Sequence, residues 1–504
     1  MIKNGLTLRR LAGVAAAAVM AVGVAGCGGD SSAGSSDTSD IRALLNAQPA
    51  TLDPIAGARS AQVVWATVVE PLINTDSNLE PERTGIITDW TRTSPTKWTF
   101  TMRSGIKFSN GEAADASAVV DTLLLTRDAD TSILKTYFAN VTSVEAPDDT
   151  TVVVTTKRPQ YNIPNLLTNV YLVPPKYYKE KGPEGFSAAP VGTGPYLFAG
   201  SKPGREISVK ANPDYWGEKP ANTGVTFTWA TEASQRLALL QSKSVDVSFD
   251  LPPAQADQAK KAGFKVVSTE SAMKITGFLE TTKPPFDNAK LREAAALAIN
   301  RDEIVQGIFG GKAVADSGLL NVKPGTQPTA KVTADLDQAK QLVGSSAPAI
   351  NVTYPPAQYT NMKEVAEAVG ASLEQAGFKV KYQPLDYGTL VKQVAGRQLN
   401  GLFIFGAVPN VAVPDFFASG FMKSVSITGN CPDPEIDKLV AKALEQKGTE
   451  AAQGIYDELN TIGVVQKHCY IPLYKQIYSY GLGSGVDGVV YGPLNSVDFT
   501  NATR

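Results

Sequence analysis

The sequence predicts an α/β protein of two or more lobes, and three observations carry that expectation. Strand-like and helix-like stretches alternate from Asp40 onward with no internal repeat and no low-complexity tract, the pattern of layered α/β architecture. Of 504 residues, about 480 remain once an N-terminal targeting segment is set aside, too many for one ordinary core. Turn chemistry is dense, above all in PVGTGPY at 190–196 and NPDYWG at 212–217. There glycine and proline fix unusual backbone angles, and Tyr215 with Trp216 gives the second turn a large apolar body to bury.

Lys3, Arg9 and Arg10 precede an apolar run from Leu11 to Val24, too short for a permanent span and right for a secretory h-region. Residues 1–26 are therefore expected to be a lipoprotein signal peptide. Val24, Ala25, Gly26 and Cys27 resemble a bacterial lipobox, where small residues admit the processing enzymes and the Cys27 thiol takes a lipid; an ordinary signal peptide with an accidental cysteine is the other reading. Leu8 stands where Ser or Thr precedes a twin-arginine pair, which weakens that route for Arg9 and Arg10. Residues 27–39, rich in Gly, Ser and Asp, have too little apolar surface to fold and read as a flexible tether. Without residues 1–26 the chain carries 44 basic against 49 acidic residues, a net charge of about −5, and shows no nucleic-acid footprint. After Cys27, Cys431 and Cys469 remain. An even pair in an exported chain suits a disulfide, which would contribute about 3–4 kcal/mol, or else two buried free thiols.

Residues 98–112, WTFTMRSGIKFSNGE, alternate apolar and polar around Ser104-Gly105 and end at Asn110-Gly111, a β-rich reading with hairpin chemistry. TVVVTTKRP at 151–159 reads as another strand, and between them Val119, Val120, Leu123 and Leu124 recur at helical spacing. PFDNAKLREAAALAI is expected to run as a helix up to Asn300, whose spacing to Glu303 predicts a capping box. A helix near Asn361, with Glu364 at its third position, places Val365, Val369 and Leu373 on one face and stops at Gly377. Phe378, Val380 and Tyr382 then alternate as a strand. Asp433 and Pro434 predict an N-cap followed by proline at the first helical position, with Ile436, Leu439, Val440, Ala443 and Leu444 on one face. These stripes are core faces.

PVGTGPY and NPDYWG together resemble the hallmark of the extracytoplasmic solute-binding proteins of the peptide, dipeptide and nickel group, bacterial family 5, which deliver ligands to ABC importers. The resemblance covers nearly all the mature chain. It runs in order through TLDP at 51–54, EPL at 70–72, KFSNGEAADASAVV at 107–120, RLALLQSKSVDVS at 236–248, residues 283–311, PDPEIDKLVAKAL and YIPLY at 470–474. Ser242 and Lys243 depart from it, standing near where glycine is common. The resemblance implies a two-lobed periplasmic-binding-protein-like fold with a discontinuous first lobe and an inserted β-rich subdomain. Its motifs place lobe I at 40–75, 190–275 and 475–504, the insert at 76–189 and lobe II at 276–474. It further implies hinge closure on a small-molecule or peptide ligand. The partners it implies are an ABC permease with ATPase subunits, for a monomer held by lipid on the outer face of the cytoplasmic membrane. A non-transport surface sensor or adhesion protein on the same fold is the competing reading.

Peptide-binding members of the family often anchor the ligand's amino terminus on an aspartate in a segment that corresponds here to residues 402–421. Phe405-Gly406 matches its start, yet Val408 and Asn410 stand near the anchor and Val413-Pro414 replaces Asp-Pro. Without that carboxylate a buried ammonium loses its natural partner, so a free peptide N-terminus is less expected as the recognised group; Asp415 supplies the charge only in a shifted register. Glu280 stands where the family often has asparagine, and is the candidate for a cationic or hydroxyl-rich ligand group, with a solvated or structural ion-pair role open beside it. Phe278, Phe405, Ala407 and Phe416 complete the candidate wall, with core packing the competing role for each phenylalanine. His468 is the single histidine, and with no cysteine cluster at zinc spacing it reads as structural; nickel delivery stays open, since it need not use protein ligands alone. GSGVDG at 483–488 fits a dinucleotide fingerprint, but too few residues follow it for the helix and strand of that unit. No cofactor and no enzymatic motif is implied.

Overall fold

The computed structural model describes residues 40–57, 59–409 and 411–504. The expected signal peptide and tether, Cys27 and Asn410 lie outside them. Among the described residues an eleven-stranded sheet forms the frame. Its order is Lys379–Pro384, Ala349–Tyr354, Leu402–Ala407, Lys265–Leu279, Tyr470–Leu482, Val247–Ser248, Ile41–Leu45, Gly224–Trp229, Glu206–Ala211 and Tyr196–Lys202, with Ala313–Ala315 paired to Tyr470–Leu482 off this path. Each flank contains a parallel trio: Ile41–Leu45 with both its neighbours, and Ala349–Tyr354 with both of its own. Parallel neighbours need long crossovers, which helices Ala233–Gln241, Met362–Gln375 and Tyr387–Ala395 help to supply. Two long antiparallel strands, Lys265–Leu279 and Tyr470–Leu482, join the flanks, and their register breaks between Glu270 and Lys274.

The cores follow this division. One centres on Ile275, Phe278, Val365, Leu402 and Tyr474. A second gathers Ile41, Val64, Tyr196, Phe227, Tyr480 and Phe499, and so draws on both ends of the chain. A third packs Phe100, Val119, Phe138 and Val152 between helix Ala116–Asp128 and the four-stranded sheet of Ile87–Ser94, Lys97–Met102, Thr151–Thr156 and Val141–Asp148. The fold is thus two-lobed α/β, with a discontinuous first lobe and an inserted β-rich subdomain.

Local chemistry explains the turns that the sequence marked. A Cβ on Gly192 would lie 2.1 Å from the Val68 carbonyl oxygen, so only glycine lets these backbones meet. The two aromatic-anchored motifs are then sewn together: Asn212 Nδ2 donates to the Gly194 carbonyl at 3.0 Å, while Tyr215 Oη and Trp216 Nε1 donate to the Glu70 carboxylate at 2.6 and 2.9 Å. Lys243 takes the left-handed conformation, φ 58°, in the turn where the family more often has glycine.

Helix ends agree with the sequence where the cap is local. Asp115 and Asp433 accept from the first-turn amides of Ala116–Asp128 and Pro434–Leu444. Asn300 accepts from Asp302 and Glu303 amides at 3.1 and 3.4 Å, and its own amide donates to the Glu303 side chain at 2.8 Å, a box closed between side chains. The helix expected from Pro285 is shorter, Ala289–Ala298, because Asn288 caps the Lys290 amide at 3.0 Å and starts it there. Asn361 precedes Met362–Gln375 in the left-handed region without a side-chain cap.

Candidate functional site

Ligands of open α/β sheets lie outside the carboxyl ends of the strands. In this molecule those ends converge on one cleft of about 790 Å³. Asn46 follows Ile41–Leu45, Asp250 follows Val247–Ser248, Gln358 to Thr360 follow Ala349–Tyr354, and Phe405 to Val408 close Leu402–Ala407; all of them line it. Met273, at the register break of the long strands, forms part of the same wall with Gln476 and Tyr478.

Aromatic surface dominates. Tyr387 stacks on Phe405 with ring centroids 5.9 Å apart, and Tyr359 donates its hydroxyl to the Gly406 carbonyl at 2.9 Å, which fixes the ring at the rim of the strand. Tyr137 of the inserted subdomain stacks on Phe416 at 5.6 Å. Val425, 87% exposed, and Ile427 and Tyr387 are among the few large apolar side chains left open to solvent, and all three line the cleft. Exposed apolar groups gathered in a concavity mark a binding surface.

The structure sorts the residues expected from the sequence. Phe405, Ala407 and Phe416 line the cleft. Phe278 does not: it is buried behind the wall, stacked on Phe403 at 5.2 Å. Glu280 is buried beyond the end of Lys265–Leu279, with its carboxylate taken by the amide and hydroxyl of Thr282 at 3.1 and 2.6 Å. At a strand's rise it stands roughly 23 Å past Met273, and it is not among the residues that line the cleft. Asp415 is buried next to the lining rather than in it, and accepts from Asn162 Nδ2 at 3.1 Å and Ser419 Oγ at 2.6 Å. The bond from Asn162 joins residues 402–421 to the insert. Cys431 and Cys469 are joined in a disulfide, with Cα atoms 5.9 Å apart. Burial pulls the His468 imidazole below its ordinary value, and among the described residues no cluster of three metal-ligating side chains is found. Sequence reasoning missed Asn46, Asp250, Tyr359, Tyr387 and Gln476; their position just after strands, or on the long joining strand, was the available signal.

The family model of bacterial extracellular solute-binding proteins, family 5 (middle region), matches residues 83–429. The chain belongs to this family. Its members are extracellular or periplasmic, and no helix among the described residues is long and apolar enough to cross a membrane. This solute-binding protein is 25% identical over 460 residues to the glutathione-binding protein GsiB of Escherichia coli K12, a match covering 86% of this chain and 88% of that one. It is 27% identical over 332 residues to a probable di/tripeptide-binding protein of Pseudomonas aeruginosa, covering 63% of this chain and 62% of that relative. Among solved structures, the dipeptide-binding protein of Pseudoalteromonas sp. SM9913 in complex with Met-Leu superposes with a TM-score of 0.79 at 20% identity, over 92% of this chain and all of that one. The NikA protein of Brucella suis in complex with Fe(III)-EDTA gives 0.81 at 19% identity, over 92% and 99%.

Proposed function

We propose that this solute-binding protein captures a peptide or peptide-like solute in the cleft, closes on it about the joining strands, and delivers it to an ABC permease, tethered to the membrane by lipid at Cys27. The observation that carries the reading is the cleft itself. It is walled by residues of both flanks of the sheet and of the insert, with Phe405, Ala407 and Phe416 in contact range of an occupant. Kinship to peptide- and glutathione-binding relatives supports the ligand class. The register break at Glu270 to Lys274 interrupts the pairing of the joining strands between the two flanks, where a bulge bends the strand locally; that is where closure would turn.

Thermal unfolding across a panel of di- and tripeptides, glycosides, opines and metal chelates tests the ligand class. A peptide at a hundred times its Kd adds about 2.7 kcal/mol and raises the midpoint. A midpoint moved only by glycosides or chelates would replace the peptide assignment.

A further inference from the structure

We propose that Asp250, together with the amide oxygen of Gln476, anchors a protonated amine of the solute from the first-lobe wall of the cleft. The proposal rests on the cleft being the solute site and adds what that site selects. Asp250 is the one charged side chain among the described residues that line the cleft, with the Arg236 guanidinium behind it offsetting part of its charge.

The local backbone is built to present it. Asp250 holds φ at 49°, a left-handed conformation that Asn and Asp adopt more readily than other non-glycine residues. It persists where the surroundings hold it and clusters at functional sites. Arg236 imposes it here: its guanidinium is buried and donates to the carbonyls of Ala230, Thr231, Phe249 and Asp250 at 2.8, 2.7, 3.1 and 2.7 Å. That cation grips the backbone, and the carboxylate turns instead to two neutral donors, Asn46 Nδ2 at 3.0 Å and Gln476 Nε2 at 3.4 Å. Lys312 lines a small recess on the other side of Asp250 and is paired with Asp257.

Gln476 provides an independent sign. It lines the cleft and is buried; its amide nitrogen is used by Asp250 and by Thr360 Oγ1 at 3.3 Å, and its amide oxygen has no hydrogen-bond partner. A buried acceptor without a donor is costly. A bound ammonium offers three donors, enough for the Asp250 carboxylate and this oxygen together. Burial also pushes the Asp250 carboxyl above its ordinary value, and a cation beside it restores the charged form. The faces of Tyr359, Tyr387 and Phe405 suit both a cation and the apolar groups beside it. The anchoring carboxylate absent from residues 402–421 thus has a substitute on the opposite lobe.

Calorimetric titration of the mature protein at pH 7 with Ala-Phe, N-acetyl-Ala-Phe and putrescine tests the assignment. Ala-Phe is expected to bind at least tenfold more tightly than its acetylated form, and Asp250→Asn to erase that ratio. Asparagine is nearly isosteric and tolerates the left-handed backbone, so the variant should melt close to wild type without ligand; should it melt early, the acetylation ratio in the wild-type protein still decides. Equal binding of the free and acetylated peptides overturns the anchor and leaves the peptide reading standing. Putrescine binding that depends on Asp250, without Ala-Phe binding, upholds the anchor and ends the peptide reading. Binding of none of the three overturns both.

Discussion

At Asp415, burial sets the chemistry. The carboxyl is fully enclosed, meets only the neutral donors Asn162 and Ser419, and is pushed above the ordinary value of 3.8 by desolvation, with Lys423 too weak a neighbour to reverse it. Between that ordinary value and the raised one, the folded protein keeps a proton that the unfolded chain has released. Stability therefore falls as pH climbs through this window. Asp415→Asn removes the titration, so the decline in melting temperature between pH 4 and pH 7 should be shallower in the variant. Asp53, Glu70 and Asp250, also raised by burial, keep their share. An unchanged pH profile would show that Asp415 is charged in the fold. Residues 402–421 announce themselves in the sequence through Phe405-Gly406, but whether a carboxylate there faces ligand or insert depends on Asn162, which lies 253 positions away. Asp250 and Gln476, 226 positions apart, were illegible for the same reason: their meeting is a product of sheet order.

The long strand Lys265–Leu279 shows how an element accommodates charge. Lys274 is buried at the register break and pairs with Asp316, while donating to the Gly318 carbonyl and Asn321 Oδ1 at 2.9 Å each. Desolvation draws its ammonium down to about 8. Lys475, opposite it in the ladder, pairs with Glu270 at 3.4 Å and also reaches the Thr326 carbonyl at 3.0 Å. Both lysines thereby pin the loop after Ala313–Ala315 to the joining strands. Lys274→Met should cost about 3–5 kcal/mol by leaving Asp316 buried and unpaired, and Lys274→Met with Asp316→Leu should cost less than the single change. Urea unfolding of the three proteins checks this; a single variant within about 1 kcal/mol of wild type would mean that the pair adds little. The caps at Asn300 and Asp433 were legible because capping spans four residues. The shortened helix at Asn288 and the fate of Glu280 were not: the first turned on a competing cap, the second on how far along a fifteen-residue strand the cleft opens.

For the molecule as a whole, the inserted subdomain matters as much as the two lobes. Val411 and Val413 of the second lobe sit in the insert's own core, Arg92 donates to the Gln446 carbonyl at 2.8 Å, and Tyr161 meets Tyr456 hydroxyl to hydroxyl at 3.1 Å. Those contacts place Tyr137 of the insert over Phe416 of the second lobe beside the cleft. If closure is what traps solute, this stack belongs to the trapped state, since parting the second lobe from the insert separates the two rings. Such a pair is worth about 0.5–1.5 kcal/mol beyond its burial, which is up to about tenfold in affinity. Tyr137→Ala and Phe416→Ala should each raise the dissociation rate of a bound peptide by up to about tenfold in stopped-flow measurements. The double variant should fall short of the sum, because each single change has already removed the stack. Strictly additive effects, or dissociation rates that stay at the wild-type value, would mean that the rings wall the cleft without holding it shut.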